Sequence, residues 1–472
     1  MRTTPRMIAA ALALTSAASV RAEVIEASAT TVVAAGQQLR GALANQTPEL
    51  DTVAPVYELL SLQAHELRNP LFQNLEVVVA GWASYDAAEL RWNTGSTQNF
   101  TGDLSTGYVR GQLFSRALTL RAGRSFVAAG AGRMLQLDGA DLLLRLPGGI
   151  SLSAFGGIPV AQRFRTRAGE QSWNPTGGDL AYGGRLGWTL PFPGAYGRAL
   201  DIGASFVEVT DAKVTFRNPA SYTNPAAPLF LTDAGGGIVR QDAGLDLRLQ
   251  PVASLILTAN GTYALAAGRL AELGVTALWT ASRKVFVTAD LKKVSPDLFL
   301  SQNSILSVFT DKERTDLGGG LRWQALESTS LGLDYHALLE PTGEGSKTSL
   351  GHEAAARAEW EHGHSRLGAE VTYLVAESLT SEENGYVGGR LFGRQELGKA
   401  FVTGDVQVHS FKQEVNGSKL AVTGALSAGY ALGGGWNAVL AGRAGVTPFL
   451  EQQADLLVKL VYNSTYRVRE VK

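Results

Sequence analysis

Residues 240–250 read Arg-Gln-Asp-Ala-Gly-Leu-Asp-Leu-Arg-Leu-Gln, an alternation with a period of two. Gln241, Ala243, Leu245, Leu247 and Leu249 fall on one side, and Arg240, Asp242, Asp246 and Arg248 on the other. Such spacing belongs to a β-strand, because a helix would gather residues three and four apart. Leucines on one face and ions on the other suit a wall between hydrocarbon and water.

The pattern recurs from residue 75 onward. Val285, Val287, Ala289 and Leu291 oppose Phe286, Thr288, Asp290 and Lys292. Ala354, Ala356, Ala358 and Trp360 oppose Glu353, Arg357, Glu359 and Glu361. Val402, Val406 and Val408 oppose Thr403, Asp405, Gln407 and His409, and Leu456, Val458, Leu460, Tyr462 and Tyr466 oppose Lys459, Asn463 and Arg467. Tight turns fall near residues 115–116, 147–148, 251–252, 282–283, 327–328, 363–364, 397–398 and 433–434. Longer connections fall at 89–100, 166–177, 215–236, 298–313 and 340–351. Short periplasmic turns that alternate with long extracellular loops are what a membrane barrel requires. The expected fold is all-β: a single large antiparallel transmembrane β-barrel of about 18–20 strands with a short N-terminal periplasmic extension.

The aromatic residues sort by strand end. Trp188, Trp279, Trp323, Trp360 and Trp436 all belong to the apolar set and lie beside tight turns. Tyr182, Tyr263, Tyr335 and Tyr373 share that face and fall toward the opposite rim. Two girdles of amphipathic rings mark the two headgroup levels of a bilayer, so the tryptophans are expected at the lipid interface.

Composition agrees. Charged residues are 18% of the 472, against about 25% in ordinary soluble proteins. The chain has 54 glycines and no cysteine, which excludes disulfides and thiolate chemistry. A net charge of -1 gives no reason to expect a nucleic-acid partner.

Arg2 and Arg6, the apolar run 7–14, and Val20 and Ala22 have the three parts of a signal peptide, so residues 1–22 are expected to be removed. No later stretch is long and apolar enough for a membrane helix. Export without a membrane helix points to the bacterial outer membrane, with its lipids and the barrel assembly machinery as partners. Residues 23–74 read as a periplasmic extension, a plug or an ordered lead-in. Within them 29–44 suits a short amphipathic helix and 56–67 a strand. The barrel is then expected over residues 75–472.

A barrel of this breadth leaves an aqueous channel. Its expected lining is Arg110, Arg121, Arg185, Arg240, Asp242, Asp246, Arg248, Asp290, Lys292, Asp316, Arg322, Arg357, Glu370, Arg390, Arg394, Asp405 and Arg443. Most of these ions are expected to pair across strands, and the rest to line the solute path. Residues 298–313, with Ile305, Leu306, Val308 and Phe309, are expected either to fold inward and narrow the barrel or to pack over a neighbour at the rim.

Other chemistry is sparse. His362 and His364 sit at a tight turn, where solvated polar residues are ordinary. Asp334 and His336 share one face, but no serine can be placed beside them from sequence. Neither an enzyme, a cofactor nor a metal site is expected.

Residues 118–144 read LTLRAGRSFVAAGAGRMLQLDGADLLL. This stretch resembles a strand pair of porin-type and alginate-export-type outer-membrane barrels. The residues that carry the resemblance are Arg121, Gly123, Arg124, Asp138 and Gly139, followed by Ala154, Phe155, Gly156 and Gly157. The resemblance implies a large outer-membrane channel, with polysaccharide export through periplasmic export proteins as one form of it. Such barrels commonly end on an aromatic residue; here the nearest is Tyr466. The reading is thus a channel for hydrophilic material, by diffusion or by export. The alternative is a non-conducting structural or interaction barrel within a cell-envelope machine.

Overall fold

The computed structural model describes residues 24–40, 49–67, 71–86, 100–128, 130–131, 134–160, 180–191, 199–211, 214–217, 230–233, 237–295, 313–341, 348–377, 383–448 and 450–467. The first strands are β1 (Val24–Arg40), β2 (Glu49–Val53), β3 (Pro55–Leu67), β4 (Asn74–Asp86), β5 (Phe100–Leu113), β6 (Leu118–Val127), β7 (Leu135–Arg145) and β8 (Ile150–Pro159). Then come β9 (Leu180–Pro191), β10 (Ala199–Asp211), β11 (Val214–Arg217), β12 (Phe230–Asp233), β13 (Gly237–Val252), β14 (Leu255–Ala264), β15 (Arg269–Ser282), β16 (Val285–Val294) and β17 (Arg314–Leu326). The last are β18 (Thr329–Pro341), β19 (Thr348–His362), β20 (Ser365–Glu377), β21 (Glu383–Leu397), β22 (Ala400–Val415), β23 (Ser418–Gly433), β24 (Trp436–Thr447) and β25 (Leu450–Arg467).

Each wall strand pairs antiparallel with its chain neighbours, and the first pairs with the last. Val24 stands opposite Arg467, and the register runs on to Ala35 opposite Leu456. Closure removes both sheet edges, which is the condition for a sheet in hydrocarbon. β2 and β3 are one wall strand interrupted at Ala54, since Gly36 opposite Val53 continues the register of Val33 opposite Val56. The β11–β12 ribbon stands apart from the wall. The barrel therefore has 22 wall strands among the described residues.

This count corrects two expectations. The range of 18–20 is too low because the described residues 24–40 and 49–67 build wall rather than an extension or plug. The stretch expected to be a helix, 29–44, is extended over its described part and hydrogen-bonded on both sides, to β25 and β3. The strand expected at 56–67 is present as β3. Residues 1–22 lie outside the described residues.

Both chain ends of the barrel, Val24 and Arg467, lie at the tight-turn end, as an even number of strands requires. The opposite end carries most of the long connections. Three of its connections are nevertheless short, those after β14, β22 and β24. Asn416 and Gly417, with φ of 47° and 79°, make a two-residue turn of the mirror-image type that matches strand twist.

The two faces of the wall separate as the alternation predicts. Leu245, Leu186, Leu391, Leu426 and Leu440 are all exposed on one face. Trp188, Trp279, Trp323, Trp360 and Trp436 lie on that face, 39–51% exposed, within a few residues of the tight turns. Trp188 donates its indole N–H to the Gly148 carbonyl at 3.1 Å, and Trp436 packs on Tyr462 at 4.7 Å. So large an apolar surface is untenable in water and natural in a bilayer.

Candidate pore lining and inward loop

The polar face is laced by ion pairs, some between strands and some, such as Arg357–Glu359 and Arg394–Glu396, two residues apart on one strand. Arg110 meets Glu76, Arg390 meets Asp405, and Arg240 meets Asp242 two residues along its own strand. Arg121 reaches Asp141 at 2.6 Å, and Arg443 reaches Asp455 at 2.6 Å. Arg357 bridges towards Glu359 and, at 4.0 Å, Glu370; Arg366 also holds Glu359, at 2.7 Å. Arg394 pairs with Glu396 at 2.9 Å. Among the described residues Arg248, Lys292 and Arg322 have no carboxylate within 4 Å. Glu76, Asp141, Glu396 and Asp455 are partners that the sequence reading left out. Their signal was available, since each stands on the polar side of its strand.

The connection between β6 and β7 does something different. Ala131 accepts a hydrogen bond through its carbonyl from the Thr262 hydroxyl, on β14, at 2.8 Å, and Thr262 is fully buried. Between β7 and β14 lie β8, β9, β10 and β13. At strand spacing that is a reach of about 24 Å around the wall. Gly130, with φ of 53°, lies so close to Arg185 and Asp246 that a Cβ there would collide with both. Arg185 donates from Nε to Asp246 at 3.0 Å across the intervening β10, where Gly203 has no side chain to obstruct it. This loop therefore lies inside the barrel, over the polar face.

Its feet explain why. Val127 and Leu135 flank the loop and pack on Leu137, Phe155, Ala181, Val207 and Val209. These apolar residues occupy the otherwise polar face of β6 to β10, and Ala181 and Val207 are fully buried. A bare lumen wall could not bury them. Covering them drives the loop inward, at about 25 cal/mol per Å² of apolar surface removed from water.

The residues that carry the family resemblance hold this hairpin. Arg121 hydrogen-bonds the Phe126 carbonyl at 2.7 Å as well as Asp141. Arg124, three residues on, falls on the opposite face, where it grips Asp138 with two bonds of 2.7 and 2.8 Å. It also reaches Asp103 at 3.0 Å and the Leu104 carbonyl at 2.8 Å. Gly123, Gly139 and Gly157 stand in one cross-strand row.

The loop expected to turn inward, 298–313, lies outside the described residues except for Glu313. His362 stacks on Trp360 at 6.0 Å, and His364 faces Glu396 at 3.7 Å. His336 does not pair with Asp334. Its Nδ1 lies 2.8 Å from Asp316 and 3.8 Å from Asp290. A groove of about 980 Å³ crosses β19 to β25 among Leu367, Leu391, Val406, Leu426 and glycines, on the apolar face beside Trp360.

No protein-family description matches the sequence, and no curated protein matches it. Solved structures do match by shape. A mutant of the ferric enterobactin receptor (PfeA) of Pseudomonas aeruginosa gives a TM-score of 0.55 at 10% identity, covering 93% of this chain and 80% of that one. A second mutant of that receptor, in complex with enterobactin, gives 0.56 at 10% identity over 93% and 81%. OccAB4 of Acinetobacter baumannii gives 0.43 at 8% identity over 94% and 98%. At such identities the likeness concerns the fold. It does not single out the polysaccharide-export barrels that residues 118–144 resemble. The closed wall and its apolar belt agree with it: the chain has the fold of a large closed outer-membrane-type β-barrel.

Proposed function

We propose that the barrel is an outer-membrane channel for small hydrophilic solutes, with its polar face toward a water-filled lumen. The observation that carries this reading is the inward loop, with Gly130 and Ala131 seated over Arg185, Asp246 and Thr262. A loop held there takes up part of the lumen of a wide barrel and so limits the size of what can pass. In this reading the lining is the set expected from the sequence: the paired ions hold the wall hydrated, while Arg248, Lys292 and Arg322, with no carboxylate in contact among the described residues, face passing solutes. The five tryptophans anchor the wall at one lipid interface.

Export of a polysaccharide, with periplasmic partners, has narrower support. The residues that suggested it, Arg121, Gly123, Arg124, Asp138 and Gly139, have a positioning role in the loop hairpin, which any channel with such a loop would need. Diffusion is therefore the reading we favour. The non-conducting alternative relied on residues 23–74 as a plug, and their described part is wall. Liposome swelling with the purified barrel tests the proposal. Small neutral sugars should enter at a rate that falls steeply with size; vesicles that swell no faster than protein-free ones contradict it. A deletion strain that loses surface polysaccharide would restore the export reading.

A further inference from the structure

Asp290 on β16, Gly318 on β17, and His336 and Glu353 on β18 and β19 form one cross-strand row on the polar face. Asp316 stands two residues from Gly318 on the same strand. Gly318 is the floor of this arrangement. A Cβ there would collide with His336 Nδ1, so only glycine lets the imidazole fold across β17 to reach Asp316. His336 Nδ1, Asp316 Oδ1 and an Asp290 carboxylate oxygen all lie within 4.8 Å of one another. All three residues are half-buried, so the cluster is open to solutes.

We propose that Asp290, Asp316 and His336 bind a divalent transition-metal ion in the barrel wall, Zn²⁺ being the fitting representative. One imidazole and two carboxylates are a donor set that such ions accept, with bonds of about 2.0–2.2 Å. Bonds of that length put ligand atoms about 3.4 Å apart in a tetrahedral site. The observed separations of 2.8 and 3.8 Å from Nδ1 straddle that value, so rotamer adjustment closes the site without moving backbone. Electrostatics favour it. Asp290, Asp316 and Glu353 converge on a single imidazole, and an ion there relieves their mutual repulsion. Lys292 stands opposite Asp316 in register, and Arg314 lies 3.9 Å from Asp316 Oδ2, which leaves Oδ1 to the ion. The proton between Nδ1 and Oδ1 in the metal-free protein passes to water on binding. Waters or a solute donor complete the shell on the open side. The chain has no cysteine to compete for the ion.

The test uses the purified full-length barrel in detergent, and it needs no ion flow, so its failure is distinct from failure of the channel reading. Co²⁺ titration should develop a visible ligand-field band that saturates at one ion per barrel, and Zn²⁺ should displace it. His336→Ala and Asp290→Asn should each weaken Zn²⁺ binding about tenfold or more. Gly318→Ala should do so too, although it removes no ligand, whereas His409→Ala should leave the affinity unchanged. Far-UV circular dichroism verifies that each variant is folded. Absence of a saturable band in the unsubstituted protein overturns the proposal. So does an affinity that folded His336→Ala or Asp290→Asn retains.

Discussion

Gly123 carries φ of 126°, and a Cβ there would collide with the Gly107 carbonyl and the Tyr108 backbone of β5. Both constraints act on the same residue, so Gly123→Ala should destabilise the barrel by about 1–3 kcal/mol. Equilibrium unfolding in urea checks this, and an unshifted midpoint would mean that β5 and β6 separate at little cost. Arg185 offers a second test at this scale. It neutralises Asp246 directly under Gly130 of the inward loop, which on the proposed reading borders the solute path. Arg185→Ala should free that carboxylate and shift the reversal potential in a salt gradient toward cation selectivity. An unchanged potential would place the pair away from the ion path. Alternation alone made most residues of the polar face legible, but not which of them pair with which. Arg121 and Arg124 look equivalent in sequence, yet their three-residue spacing puts them on opposite faces of β6 with different acids.

At the scale of elements, β1 decides whether the wall closes. It is antiparallel to both β25 and β3, which therefore run parallel to each other. Deleting residues 24–40 should leave no folded barrel, because β25 and β3 cannot then restore the antiparallel ladder. Circular dichroism and protease resistance of the refolded chain measure this; a stable barrel that merely conducts better would revive the plug reading. The strand was hidden because Val, Ala and Thr occupy both of its faces, so no contrast marks the period of two. Strands with apolar residues against charged ones, such as β13 (leucine against arginine and aspartate) and β19 (alanine against arginine and glutamate), declared themselves. The inward loop was illegible for a related reason. Residues 128–134 are mostly small, and the place of the described Gly130 and Ala131 depends on an apolar patch contributed by β6 to β10, which is close together only after the sheet forms. Thr262→Val removes the bond that ties the loop to β14, at about 1 kcal/mol. Its channel should flicker more between conductance levels than the unsubstituted one.

At the scale of the molecule, the two faces of one closed sheet meet two solvents. On the proposed reading, the apolar face with its tryptophans holds the barrel in the bilayer, and the polar face keeps the interior wet. The sequence declared the all-β barrel and the alternation that sorts apolar from charged residues along most of its strands. The strand number and the constriction needed the register. The central claim is a water-filled channel narrowed by the β6–β7 loop. Its most direct test is single-channel recording in planar bilayers, comparing the intact barrel with one whose residues 128–134 are replaced by an Asn-Gly turn. Both should conduct, and the shortened barrel should conduct more and pass larger solutes. A folded intact barrel with no conductance, or equal conductance in the two, would contradict the account.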